Sequence, residues 1–346
     1  MGPGVIIPRV MRVVVTGASG HVGANLVRAL RERGDTVRAL VHRNEAALDG
    51  LDAERVRGDV LDADSLVRAF EDAERVYHLA ALISIDGDRG GAVPAINVRG
   101  ARNVAEAALT TGVRRLVHCS SIHAFDQKPL DQPLDETRAR SDQRPRHPSY
   151  DVSKARGERE VRGVIERGLD AVIVNPTAVV GPNDFQSSRM GRVILDLALG
   201  RLPMLIEGGF NWVDVRDVCS GILAAGDRGR TGENYLLGGR YASVGELAAL
   251  VTRETGTPTP RFTSPIWLAL MGAPFVVAAG RITGREPLYT IEALRALRAN
   301  REISTAKARA ELGFAPRPLE RTVRDTLEWY VKTGRLPSGA LTCAAA

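Results

Sequence analysis

Short apolar runs alternate with amphipathic stretches through the first half of the chain. Arg12-Val13-Val14-Val15-Thr16 is a continuous apolar run and predicts a buried strand. From His21 to Glu32 the apolar residues Val22, Leu26, Ala29 and Leu30 fall at helical spacing, and Gly34 ends the helix. Residues 36–41, 56–60, 76–80 and 115–120 read as further strands, with helices over 64–70 and about 92–111 among them. A polar loop, 126–148, leads into a helix that starts near Tyr150, and 170–175 is a strand stopped by Pro176. Strands alternating with helices predict an α/β fold, a parallel doubly wound sheet covered by helices.

Beyond Gly181-Pro182 the alternation fades, and helical stretches remain at 190–199, 244–255 and 291–297. This predicts a second, smaller α+β domain built of segments that return to the first. No internal repeat or low-complexity stretch interrupts the pattern.

Composition narrows the function classes. The 346 residues, 44% hydrophobic and 25% charged, suit one large α/β domain with a smaller one appended. The net charge of +6 does not point to nucleic acid: arginines are scattered with acids beside them, and aromatics are only 5%. Cys119, Cys219 and Cys343 fit neither a disulfide framework nor a metal-ligand spacing, so no metal is expected and a reducing, cytoplasmic setting is. Val5-Ile6-Ile7, broken by Pro8, is too short for a signal-peptide core, and Met11 is a plausible alternative start. Residues 1–10 and 336–346 are expected to be flexible.

Thr16-Gly17-Ala18-Ser19-Gly20-His21-Val22-Gly23 joins the first strand to the first helix. In that context Gly17 permits a tight turn, Gly20 lets a pyrophosphate approach the backbone, and Gly23 lets the helix pack close to the sheet. The free N–H groups at the helix start favour phosphate. The spacing, G-x-x-G-x-x-G, differs from the commoner dinucleotide pattern. At the end of the second strand Val41-His42-Arg43-Asn44 has no acid to bond a ribose 2′-OH. Arg43 can grip a 2′-phosphate instead, so NADP(H) is favoured over NAD(H), with Glu45 close enough to blur the distinction.

Tyr150 and Lys154 lie one helical turn apart, in a chain whose 47 basic residues include only four lysines. An ammonium there is expected to stabilise the phenolate and bring the tyrosine toward acid–base work near neutrality. Cys119-Ser120-Ser121 places a hydroxyl at the carboxyl edge of the sheet, where α/β ligands bind.

Together these residues resemble the extended branch of the short-chain dehydrogenase/reductase family over about 11–335. The likeness includes Thr16–Gly23, Asp59-Val60, His78-Leu79-Ala80-Ala81, Asn97, Ser121, Tyr150, Lys154 and Asn175-Pro176 through Gly181-Pro182. It implies a Rossmann-type dinucleotide domain over 11–180 plus about 213–240, and a substrate domain over about 181–212 and 241–335. It implies Ser121, Tyr150 and Lys154 as the catalytic set. Cofactor contacts would come from Gly17, Ser19, Gly20, His21, Val22, Gly23, His42, Arg43, Asp59, Val60, Leu79, Ala80, Ala81, Asn97 and Pro176, with Tyr150 and Lys154. Within the branch, the segments 37–43 and 175–182 look most like dihydroflavonol reductases and 3β-hydroxysteroid dehydrogenases, and also like bacterial sugar epimerases associated with hopanoids.

The resemblance therefore implies an oxidoreductase that interconverts a ketone or aldehyde and an alcohol. Two departures weigh against sugar nucleotides: Ile122-His123 stands where sugar dehydratases carry Asp-Glu, and Gly208-Gly209-Phe210 is uncharged where diphosphate-binding arginines are common. A hydrophobic substrate is expected, with His123, Phe185 and Trp212 as candidate contacts. The apolar segment 265–279, interrupted by Gly272 and Pro274, is too short to span a bilayer; it reads as a packed helix, a lid or a peripheral membrane contact. A homodimer through helices that include the one bearing Tyr150 is expected by analogy. A nucleotide-sugar epimerase and a non-catalytic dinucleotide sensor are the alternatives.

Overall fold

The computed structural model describes residues 10–85, 87–143, 147–283 and 290–342; Cys343 lies outside them. In chain order its first elements are β1 (Arg12–Thr16), α1 (His21–Glu32), β2 (Thr36–Val41), β3 (Glu54–Arg57), α2 (Ala63–Phe70), β4 (Arg75–His78), α3 (Ala92–Pro94), α4 (Gly100–Thr110), β5 (Arg115–Cys119), α5 (Ser149–Ile165) and β6 (Ala171–Pro176). There follow β7 (Ala178–Val180), α6 (Arg189–Ala198), β8 (Leu205–Ile206), β9 (Gly209–Asp214), α7 (Val215–Arg228), β10 (Asn234–Leu237), β11 (Arg240–Ser243) and α8 (Val244–Thr255). The chain continues with β12 (Thr263–Ser264), α9 (Ile266–Thr283), α10 (Ile291–Ala296), α11 (Ala306–Leu312) and α12 (Leu319–Lys332).

Seven parallel strands make the main sheet, in the order β10-β6-β5-β4-β1-β2-β3. The fold is Rossmann-type. After β3 the chain crosses back to β4 on the other side of β1, so a crevice opens at the carboxyl ends of β1 and β4, where such sheets take ligands. Side chains alternate across the sheet: Val13 and Val15 join one core layer with α1 and α7, and Val14 joins the other with α2 and α4. Both layers are buried, which is why the strands read as apolar runs and not as alternating ones.

Three expectations are corrected by this packing. The helix expected over about 92–111 is divided by a π-helical turn, Ala95–Arg99, at the point where α5 comes closest. A Cβ at Gly157 of α5 would stand 2.3 Å from the Asn97 carbonyl oxygen. Residues 306–314, assigned with the smaller domain, pack instead on α7 and β10 through Ala308, Leu312 and Phe314. In the segment expected to be flexible from 336, Leu336 is buried and the Thr342 N–H donates to the Glu254 carbonyl at 2.8 Å.

The remaining elements gather around a second core. β11, β9 and β7 form a three-stranded sheet, and α6, α8 and α12 pack with it around Trp212, Leu247, Val323 and Leu327. Outside this core runs α9, the helix that 265–279 was read as, continuous through Gly272 and Pro274. Trp267 and Met271 on it are more than half exposed, at 61% and 64%. Among the described residues no helix is long and apolar enough to cross a membrane.

Candidate active site

The glycine turn closes tightly on the β4 edge. Gly17 has φ +68°, and a Cβ there would lie 2.6 Å from the Ala80 nitrogen, so only glycine fits this contact. At Gly23 a Cβ would meet the Gly17 carbonyl oxygen at 2.1 Å, which sets how near α1 can lie to the turn. Gly20 differs: its Cβ would touch only the Gly17 oxygen, at 3.3 Å, and otherwise face open space. Gly20 also caps α1 without any side-chain hydrogen bond, leaving the first-turn amides of His21, Val22 and Gly23 available to an anion. This cradle fits a dinucleotide pyrophosphate.

Other residues fix the turn. The His21 Nε2 lies 3.1 Å from the Pro182 carbonyl oxygen, and Asn25 donates to the same oxygen at 3.1 Å. Gln186 donates to the Ser19 carbonyl at 3.0 Å, so the segment after β7 spans the turn. Sequence reading passed over Asn25 and Gln186, because nothing local signals a bond across more than 150 residues.

At the far end of the crevice His42 and Asp59 approach within 3.6 Å, both partly open to solvent, and Arg43 beside them is exposed. The Asp59 carboxylate accepts from the Leu61 N–H at 2.9 Å. Val60 is buried under Gly100. Leu79 and Ala80 are bound to Thr16 through their N–H groups, at 3.1 and 3.3 Å, and Ala81 next to them is exposed. Pro176 ends β6 opposite Leu237. Asn97 sits in the π turn, where its side chain exchanges two hydrogen bonds with the Leu82 backbone and donates to Ser153 at 2.9 Å. It thereby ties the loop after β4 to α5.

Ser121, Tyr150 and Lys154 meet at the carboxyl ends of β5 and β6. Ser121 begins a 3-10 turn, Ile122–Ala124, where its hydroxyl accepts from the His123 N–H at 3.3 Å, and it lies close enough to the Tyr150 phenol to favour its ionised form. Lys154, buried, donates from Nζ to the Cys119 carbonyl oxygen at 3.1 Å. Burial above all holds the phenol of Tyr150 above its ordinary range; the Ser121 hydroxyl opposes this, and the nearby Asp151 adds to it. The expected lowering by Lys154 is therefore corrected for this state, in which the ammonium is engaged by Cys119 and burial dominates the phenol. Lys154 is itself shifted down by burial, against the opposing pull of Cys119 and Glu158.

A buried polar network absent from the sequence reading braces the serine from behind. The Asn175 amide donates to the Ser121 carbonyl at 3.0 Å and to Glu158 at 2.7 Å. Glu158 also accepts from Asn234 at 3.1 Å and from Arg140 at 3.1 Å. Glu158 follows Lys154 by one helical turn, the only local clue to its place. On the adjacent strands β4 and β5 lies a histidine pair, His78 and His118, with ring centroids 5.1 Å apart. Burial, reinforced by Lys154, brings His78 down to about 3 and keeps it neutral.

Of the candidate substrate contacts, His123 lies in the constellation: its ring meets Tyr150 edge-on at 5.7 Å, and its Nδ1 is 3.1 Å from Asp151. Trp212 does not. It is 1% exposed inside the smaller domain's core, with its indole N–H bonded to the Ala242 carbonyl at 2.9 Å. Its strand alternates Phe210, Trp212 and Asp214 on one side, and that side faces the core. Phe185 packs edge-on against Trp329 at 5.4 Å and lies under the Arg28 guanidinium at 5.2 Å.

The fold and the two convergent motifs define an oxidoreductase class, and the comparisons agree. The family model described as the NAD dependent epimerase/dehydratase family matches residues 13–238, and the chain belongs to that family. The chain is 39% identical over 335 residues to sterol demethylase protein B of Methylococcus capsulatus, covering 94% of this chain and all of that one. It is 30% identical to a 4-hydroxy-2-methyl-3-oxo-4-farnesyl-3,4-dihydroquinoline-1-oxide ketoreductase of Stigmatella aurantiaca, over 92% of this chain and 96% of the relative. Among solved structures, gox2253 matches with a TM-score of 0.81 and 36% identity, over 94% of this chain and 99% of that one. The chain is an NAD(P)-dependent oxidoreductase of the extended short-chain type.

Proposed function

We propose that this oxidoreductase reduces a ketone or aldehyde on a hydrophobic substrate, or oxidises the matching alcohol, with NADP(H) as the preferred cofactor. The observation that carries the reading is the convergence of Ser121, Tyr150 and Lys154 at the strand ends beside the Gly17–Gly23 cradle. The nicotinamide cofactor supplies the hydride when bound. The chain's own residues do the rest: Ser121 donates a hydrogen bond to the substrate oxygen, and Tyr150 passes its proton to that oxygen as negative charge develops. Lys154 would hold the ribose of the bound cofactor and favour the phenolate that Tyr150 becomes. The brace from Glu158 through Asn175 keeps the serine backbone in place meanwhile.

Relatives named for a sterol and for a farnesyl-bearing quinoline oxide support a hydrophobic substrate. So does the exposed apolar face of α9, which suits a lid or a contact with a lipid surface. Arg43 supports NADP(H). Its replacement by Glu is expected to weaken NADPH binding far more than NADH binding in a fluorescence titration. Equal losses would remove the argument for the phosphate. A homodimer is proposed by analogy and is checked by light scattering.

One observation favours a second reading. A cleft of about 500 Å³ by Glu207 and Gly208 is lined by Arg298 and Arg301, so the approach that looks uncharged in sequence gains two cations in space. These would suit a diphosphate. Calorimetry with a nucleoside diphosphate separates the readings: binding abolished by Arg301→Ala supports an epimerase, and no binding supports the reductase.

A further inference from the structure

His123 stands between two neighbours on α5 that oppose each other electrically. Its ring lies edge-on to Tyr150, centroids 5.7 Å apart, and its Nδ1 is 3.1 Å from an Asp151 carboxylate oxygen. Asp151 directly follows Tyr150, and its side chain is 12% exposed, so its charge is poorly screened. A carboxylate there disfavours the negative phenolate that proton donation must leave behind.

Resting on the reading of Tyr150 as the proton donor, we propose that His123 is a positioning residue: as an imidazolium paired with Asp151, it cancels the carboxylate's charge beside the phenol and lets Tyr150 give up its proton. The pair makes the aspartate tolerable at this position.

The surroundings allow this pairing. From α5, the described ionisable groups near His123 are Tyr150, Asp151 and, a turn on, Lys154, which is engaged by Cys119. From β6 the packed polar group is the neutral Asn175. On the neighbouring 3-10 turn, Ser141–Gln143, Asp142 is paired with Arg159, and Asp126 of the following loop lies 4.0 Å from His147. Asp151 is thus the carboxylate in direct contact with His123. Burial disfavours the charged ring, but the charge of Asp151, 3.1 Å away, outweighs it, so His123 sits above its ordinary 6.5.

The sign follows. The imidazolium is present below the His123 pKa, and its effect fades as pH rises through that value. Reductase activity should therefore fall on the alkaline side as His123 loses its proton.

Two measurements test the pair. In an NMR titration of the histidine ring protons, assigned by His123→Gln, His123 should titrate above 6.5 and move down in Asp151→Asn. A His123 that titrates at or below 6.5 in the wild type overturns the proposal, whatever the substrate proves to be. For turnover, His123→Gln should reduce kcat at neutral pH by about tenfold, the equivalent of one pKa unit on the phenol, with little change in KM. Adding Asp151→Asn to His123→Gln should restore most of that loss. A merely structural histidine would not be rescued by removing a second charge, so absence of rescue overturns the proposal too. A wild type inactive on every carbonyl would instead overturn the functional reading, and the titration would still decide whether the charged pair exists.

Discussion

The two sides of this molecule treat polar and apolar groups in opposite ways. Beneath the catalytic strand ends, ionisable and amide groups are buried and joined: Glu158 accepts from Asn175, Asn234 and Arg140, and Asn175 reaches the serine. Around α9 large apolar groups face outward, with Trp267 and Met271 mostly exposed and a wide cleft nearby. A buried polar network fixes geometry at a cost in desolvation, which a site doing proton transfer needs. An outward apolar face fixes nothing by itself and is suited to meeting something greasy. On the proposed reading, chemistry belongs to the first region and selectivity to the second.

The contrast can be broken by mutation. Glu158→Ala leaves Arg140 and two amides without their common partner. It should cost about 3–5 kcal/mol in urea denaturation, while Trp267→Ala should stay within about 0.5 kcal/mol. A comparable loss at both positions would erase the distinction. Trp212→Ala should cost about 3–5 kcal/mol and leave KM of the residual folded enzyme unchanged, since the indole packs in the core.

Glycines give a smaller and sharper test. Gly23→Ala forces a Cβ onto the Gly17 carbonyl and should cost about 1–3 kcal/mol, with weakened NADPH binding. At Gly272 on α9 a Cβ meets nothing within 4 Å. There Ala should stabilise by about 0.5–1 kcal/mol, read from the same denaturation curves.

The smallest effect concerns acid. Burial would raise Asp214, but hydrogen bonds from Arg216 and the charges of Arg216 and Arg317 outweigh it, so its pKa lies below the ordinary 3.8. With the folded value depressed, the stabilisation is complete above the unfolded value and is lost as pH falls through the folded one. Asp214→Asn should therefore flatten the acid limb of a stability profile below about pH 4 without altering its alkaline limb.

Much of the sheet was legible because its strands are buried on both faces and its helices are long enough to show a period. β1, α1, β2 and α8 begin and end where the pattern places them. The smaller strands were not: β7 of the three-stranded sheet, and β8 and β12, which pair with each other, have only two or three residues and show no period. Trp212 misled for a related reason: an isolated tryptophan looks like a pocket residue until Leu247, Val323 and Leu327 of α8 and α12 show which face of β9 is covered. In the site, the glycines and the Tyr150–Lys154 spacing are local signals and could be read. Glu158, Asn234 and Asp151 matter through partners distant in sequence or through a loop that brings His123 over α5. No window along the chain contains those contacts.

The central claim is that hydride leaves the cofactor for a substrate carbon while Tyr150 supplies the proton. The direct measurement is the fate of deuterium from NADPH labelled at nicotinamide C4, followed by mass spectrometry of products from a panel of hydrophobic ketones and aldehydes. The account expects one deuterium per alcohol formed and one NADPH consumed, with both abolished in Tyr150→Phe. Substrate interconverted with no net loss of NADPH, or label transfer undiminished in Tyr150→Phe, would contradict it.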